Sequence, residues 1–264
     1  RIESGEVSEL MKFYVFIFML TISFTLSFSA AGQQVLRTSY YSQNIAPQLF
    51  FDINGRPTSG ILFDITHAIA DKLDAKLEML PIPRKRVEQS LIKNIIDMHC
   101  VANKQWYKRG DLQWSAVLYN NPDILINNLG MTTLTDLAKH KKLKIGTSLG
   151  YIYPELVTFI NNKNIHPVTS LSPGDSYKKY RKNRIAGFII PEIEASYFLK
   201  EPSDAVISLN DNKIRCAFSP SMKRMQVKRI NNIIMELKSS GQIKFILSKY
   251  NNMPKILAIT STAE

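Results

Sequence analysis

Apolar positions along this chain follow two alternating rhythms, one of period two and one of period 3.6. Residues 35–39 (VLRTS) read as a short strand, and Tyr40 and Tyr41 open the loop after it. Asn54-Gly55 is a turn signal between the run 50–53 and a helical stretch. Leu62, Ile65, Ile69 and Leu73 recur at helical spacing, which predicts an amphipathic helix over Ile61–Leu73. Residues 76–80 form a second strand. Pro81-Ile82-Pro83 then starts a turn into a helix around 86–93, with Val87 and Leu91 facing inward. Residues 97–102 are a third strand. This βαβαβ order argues for a parallel sheet with crossover helices.

The second half repeats the grammar. Residues 123–128 are apolar and extended, and 134–140 read as a short helix. A strand at 144–147 and a helix at 153–160 follow, with Pro154 in the first turn, where proline is tolerated. A strand at 166–169 precedes a helix capped by Ser172 and Pro173 that runs to Asn183. IAGFII (185–190) is a buried strand, and 193–199 is a helix. Strands at 205–209 and 213–218 lead to a long amphipathic helix, 223–239, carrying Ile230, Ile233, Ile234 and Leu237. Gly241 breaks it before a last short helix at 242–249, and 251–264 is a weakly patterned tail.

The stretch 96–119, IDMHCVANKQWYKRGDLQWSAVLY, concentrates the candidate chemistry. A buried strand opens there into a polar turn holding Lys104, Trp106, Lys108 and Arg109, followed by a second apolar run, 114–119. Open α/β sheets bind small ligands at such strand ends. Guanidinium is always charged and grips a carboxylate through two parallel hydrogen bonds. Taken alone, the same charges are more often those of a solvated loop.

Residues 11–31 (MKFYVFIFMLTISFTLSFSAA) place one lysine before an apolar run and small residues after it. This is the pattern of a secretory signal peptide, with cleavage expected after Ala31 and a periplasmic destination. The apolar run is short for a bilayer span. Residues 1–10 carry Glu3, Glu6 and Glu9 and stay outside the fold reasoning. The net charge of +12 suits acidic ligands or an anionic surface, but secretion and the lack of a helix-turn-helix or RNA-binding signature exclude a nucleic-acid partner. Cys100 and Cys216 both lie in strand-like runs, where a bridge and two buried thiols are both open.

Enzyme readings find little support. Gly146, Ser148 and Gly150 fit G-x-S-x-G at a strand-to-helix turn, but the only downstream histidine is His166, and no glycine-rich oxyanion loop precedes it. The four histidines, 67, 99, 140 and 166, have no metal-ligand spacing, and no phosphate loop or dinucleotide fingerprint is present. The expectation is a protein without catalysis and without a cofactor.

Residues 35–250 resemble the type II periplasmic solute-binding proteins, in particular the polar amino-acid binding components of ABC transporters (extracellular solute-binding family 3). The segment NGRPTSGILFDITHAIADKL is similar to that family's early G…G…D…A…L pattern. The run AFSPSMKRMQVKRINNIIMELKSSGQIKFILSKY is similar to its closing strand, long helix, glycine and terminal K-Y. Asp97, twelve residues before Arg109, has the spacing of its strand Asp and carboxylate-binding Arg.

The resemblance implies an α/β fold of two lobes, each a mostly parallel sheet flanked by helices, joined by two crossover segments. Lobe 1 would hold 35–124 and 213–250, and lobe 2 would hold 131–209. The return strand would bring Cys216 beside Cys100. Arg109 would clamp the ligand carboxylate. Tyr40 or Tyr41 would pack on the ligand, Ala102 and Lys104 would line the cleft, and Gly150 and Tyr151 would contact it from lobe 2. Lys104 adds a charge and Tyr151 adds a ring where the family more often has Thr. Where the family keeps its ammonium-binding acid this chain has Pro191, and Glu192 next to it is the substitute. Pro83-Arg84-Lys85-Arg86 is similar to a Pro-x-x-Arg element of less characterised members, which brings Arg86 towards the cleft or leaves it at a surface helix start. The implied function is hinge closure on a small carboxylate-bearing solute, by a monomer that delivers it to an ABC permease. A membrane sensor as the partner is the alternative, and a periplasmic dehydratase is a third reading.

Overall fold

The computed structural model describes residues 33–41, 46–198 and 204–251. The expected signal peptide and residues 252–264 lie outside the described residues. Among the described residues, no helix is long and apolar enough to cross a membrane.

Two sheets organise the chain. The first runs in the order β4 (Ala75–Pro81), β1 (Gln34–Tyr40), β5 (Met98–Ala102), β13 (Lys213–Phe218) and β6 (Gln113–Trp114), with β7 (Tyr119–Asn120) also paired to β13. The second runs β10 (Ile165–Ser170), β9 (Leu143–Ser148), β11 (Gly187–Pro191), β8 (Asp123–Asn127) and β12 (Ala205–Ser208). Both are mixed, with one strand in each running against its neighbours. β1 pairs parallel with β5, and β9 with both β10 and β11, but β13 and β8 run antiparallel to their neighbours. These two are the strands by which the chain enters a sheet from the other one, so no crossover helix precedes them to force a parallel pairing.

The apolar run 114–119 does not form one strand; its two ends, in β6 and β7, pair separately with the two ends of β13. Phe50–Phe51 (β2) and Pro57–Ser59 (β3) form a hairpin about Asn54-Gly55, where the sequence shows a turn but too few residues for a strand signal.

Periodicity explains the layers. Helix Ile61–Leu73 buries Ile61, Leu62, Ile65, Ile69 and Leu73. Helix Arg224–Ser239 buries Val227, Ile230, Ile233, Ile234 and Leu237 in the same core. In the second sheet, Leu125 and Ile189 face one core while Ile124, Ile126, Phe188 and Ile190 face the other. A strand buried on both faces reads as a continuous apolar run, which is why IAGFII shows no alternation.

The sequence pattern at helix Ile61–Leu73 and the one that closes at Tyr250 meet in space. The Tyr250 hydroxyl accepts the Gly60 N–H at 2.8 Å and donates to Asp64 at 2.8 Å, and Lys249 pairs with Asp64 at 2.9 Å. Gly60 has φ 126°, and a Cβ there would lie 2.5 Å from the Gln48 carbonyl oxygen, so glycine alone fits. Asp97 is structural. It accepts from the Arg37 backbone N–H at 2.7 Å and pairs with the Arg37 guanidinium at 2.7 Å, tying β5 to β1.

The chain passes between the sheets twice, and the two passages are bonded to each other. The Asn121 N–H donates to the Asn212 carbonyl at 2.9 Å, and the Leu209 N–H to the Asp123 carbonyl at 2.9 Å. The Asp123 carboxylate accepts the carboxamides of Asn210 (3.1 Å) and Asn212 (2.8 Å).

Cys100 on β5 and Cys216 on β13 are joined by a disulfide. It closes a long loop of chain, so its loss is expected to cost about 2–5 kcal/mol. Urea unfolding with and without reductant, and of the double Cys→Ser variant, measures this. An unchanged midpoint would show that the bridge does not stabilise the fold.

Candidate functional site

Four loops leaving strand ends converge between the sheets. Tyr41 follows β1, Arg84 follows β4, Trp106 lies in the turn after β5, and Tyr151 follows β9 of the second sheet. They line a cavity of 460 Å³ together with His99, Lys85, Lys108 and Gly150. A volume of about 300–1,000 Å³ is usual for small-molecule sites.

Arg84 is central to it. Pro83 leads into a short 3-10 turn, Arg84–Arg86, that continues into helix Val87–Ile92. Arg84 lies three residues before the buried Val87, on the same face, and so points inward, while Lys85 and Arg86 stay exposed. Its guanidinium carbon lies 4.0 Å from the centre of the Tyr151 ring, 4.9 Å from Trp106 and 5.8 Å from Tyr41. It also donates to the Tyr41 hydroxyl at 3.1 Å. Burial opposes its charge, but the surrounding tyrosine oxygens more than offset this, and the guanidinium is held cationic.

His99 sits on the cavity floor with Nδ1 2.9 Å from the Ser39 hydroxyl. Burial pushes its pKa down to about 4, so it is a neutral imidazole at physiological pH. The Glu88 carboxylate accepts the backbone N–H groups of Lys108 (2.8 Å) and Arg109 (2.7 Å), which fixes that loop.

Beyond Arg84 the cleft narrows to a small acidic pocket lined by Gln48, Asn121, Asp123, Glu194 and Asn212. Glu194 is buried and accepts the Asn121 carboxamide at 3.0 Å. Burial raises its pKa to about 7, and raises that of Asp123 as well.

The expected site residues divide. Tyr41, Gly150 and Tyr151 line the cavity. The structure does not bring Arg109 there. Its guanidinium lies outside, 2.6 Å from Asp111 in an exposed ion pair. Lys104 is exposed, in the turn capped by Asn103. Tyr40 is buried against Phe51 at 5.8 Å between ring centres, because adjacent strand positions face opposite ways. For the same reason Ala102 lies in the core beside Val87 and Leu112, and Val101 lines the cavity. Glu192 is exposed at the start of helix Glu192–Phe198. Two residues on, about 200° around the helix, Glu194 faces the cleft. Sequence reasoning missed Arg84 and Glu194. The signal for Arg84 was its i, i+3 relation to the inward Val87.

The G-x-S-x-G turn holds no dyad. In the β9–β10 ladder His166 pairs with Lys144 and Ser148 with Ser170, so His166 stands four residues from Ser148 along the strand, roughly 13 Å.

Solved structures share this architecture. The ancestral amino-acid-binding protein AncCDT-1, a precursor of cyclohexadienyl dehydratase, superposes with TM-score 0.69 at 16% identity, over 83% of this chain and 95% of that one. An ancestral arginine-binding protein bound to arginine gives 0.67 at 20%, over 83% and 98%. The amino acid ABC transporter substrate-binding protein AbpA from Streptococcus pneumoniae, bound to L-arginine, gives 0.65 at 19%, over 82% and 94%. The chain has the type II periplasmic binding-protein fold. No protein-family model matches it, and no curated protein sequence does.

The raised pKa of Glu194 sets a pH dependence for this binding-protein fold. A carboxyl that prefers protonation when folded contributes stability below about 4.5, lost as the pH rises through about 7. Glu194→Gln is expected to match the wild type at pH 4.5 and to exceed it above pH 7 by on the order of 3 kcal/mol. Chemical unfolding across this range checks it; parallel curves for the two proteins would show that Glu194 does not titrate in the window.

Proposed function

We propose that this chain is a periplasmic binding protein for a small, carboxylate-bearing, amino-acid-like solute. One observation carries the reading: a cationic guanidinium, Arg84, stands in a cavity of ligand size walled from both sheets, with Tyr41 and Trp106 on one side and Tyr151 on the other. Arg84 takes the carboxylate-clamp role that the sequence resemblance gives to Arg109. An edge of its planar fork offers paired donors to a carboxylate, while the rings hold its face. Closure of the two lobes buries the ligand, and the closed form is what an ABC permease reads. The signal-peptide pattern of 11–31 supports a periplasmic site of action, and the fold of the amino-acid-binding relatives supports the solute class.

The test is a thermal-shift screen of amino acids, dicarboxylates and short peptides, followed by titration calorimetry. A ligand at 100 times its Kd adds about 2.7 kcal/mol of stability. Arg84→Ala is expected to weaken the best ligand by about 10- to 100-fold, since hydrogen bonds to charged groups are worth about 1.5–3 kcal/mol. Arg109→Ala is expected to leave affinity unchanged. Full affinity in Arg84→Ala would remove the clamp, and no shift with any carboxylate would sink the solute class.

A further inference from the structure

We infer, resting on the cleft proposed above, that Arg84 is the built-in occupant of an aromatic cation cage. The cleft thereby accepts anionic solutes and excludes those carrying a guanidinium of their own.

The cage is formed by Tyr41, Trp106 and Tyr151, whose ring centres lie 5.8, 4.9 and 4.0 Å from the Arg84 guanidinium carbon. All three fall within the roughly 6 Å over which a cation is attracted to a ring face. Tyr41 and Trp106 extend from the first sheet and Tyr151 from the second, so filling the cage needs walls from both lobes. Arg84 is carried by the first sheet, and its contact with Tyr151 bridges the cleft. A free cationic ligand of the same shape would have to displace it.

The remaining charges point the same way. The outer cavity holds Arg84, Lys85 and Lys108. Among the described residues its one carboxylate, Glu88, accepts two backbone N–H groups of the Lys108–Arg109 loop. His99 is neutral. The acids Asp123 and Glu194 lie on the inner side, where Arg84 stands between them and the outer cavity. Gly150 opposes the same segment: a Cβ there would meet Lys85 at 3.8 Å and Arg84 at 4.0 Å. The backbone of the second lobe therefore approaches the filled cage closely.

The probe is methylguanidinium, with sodium chloride at equal ionic strength as the control. Wild-type protein, its cage filled, is expected to show no shift beyond the control and no calorimetric binding of free arginine. Arg84→Ala is expected to gain about 2–4 °C in Tm with millimolar methylguanidinium. Arg84→Ala combined with Tyr151→Leu is expected to lose that gain. Should Arg84→Ala be recovered unfolded, refolding becomes the readout, and higher folded yield with methylguanidinium than without supports the cage. No gain in Arg84→Ala, a gain that survives Tyr151→Leu, or equal refolding yields (including none) would overturn the proposal. So would tight arginine binding by the wild type, a result that would still support solute binding in the cleft. Failure of every carboxylate in the wild-type screen removes the binding reading and leaves the methylguanidinium result to be judged separately.

Discussion

The site rests on how the chain crosses twice between two sheets. Each passage is a short extended segment with backbone groups that no sheet satisfies. The chain solves this by pairing the passages with each other and by spending asparagines on the remainder. Asn121, Asn210 and Asn212 supply both donors and acceptors there, and the Asp123 carboxylate collects two of their N–H groups. Asn103 reaches the same knot from the end of β5, 2.9 Å from Asn212. The loops bearing Tyr41, Trp106 and Tyr151 spring from strands on either side of this junction, so their separation is set by it.

Charge is layered across the cleft. Cations and the loop-bound Glu88 face the wider cavity, Asp123 and Glu194 lie in the narrow end, and one guanidinium separates them. Both inner carboxyl groups are buried against carboxamide donors. Asp123 is held by two carboxamide donors, which pull against the upward push of burial. Glu194 accepts from Asn121, Gln48 also pulls its pKa down, and burial still holds it up at about 7. A site with both signs of charge within one cleft suits polar zwitterions in general, but which sign meets the solvent-facing volume decides which part of a ligand enters first.

Much of this fold was legible because long elements announce themselves. Ile61–Leu73 and Lys213–Phe218 fall where the pattern puts them. The two-residue strands did not, since a run as short as Phe50–Phe51 cannot express a period. The site was harder to read for a related reason. Spacing located the right loops, but one step along a strand, or two along a helix, exchanges inside for outside. Thus Tyr41 lines the cavity and Tyr40 does not, Val101 replaces Ala102, and Glu194 replaces Glu192. For Arg109 the obstacle was competition: Asp111, two residues on, offers its guanidinium a local partner that spacing alone cannot rank against a distant cleft.

The Cys100–Cys216 bridge alters how the molecule would bear force. The residues between the cysteines, a separation of 116, include every strand of the second sheet. Tension applied at the two ends of the described chain passes from β5 to β13 through the sulfur atoms and bypasses that interval. While the bridge is intact, the second sheet is mechanically an appendage: the chain can be pulled taut without loading the wall that carries Tyr151.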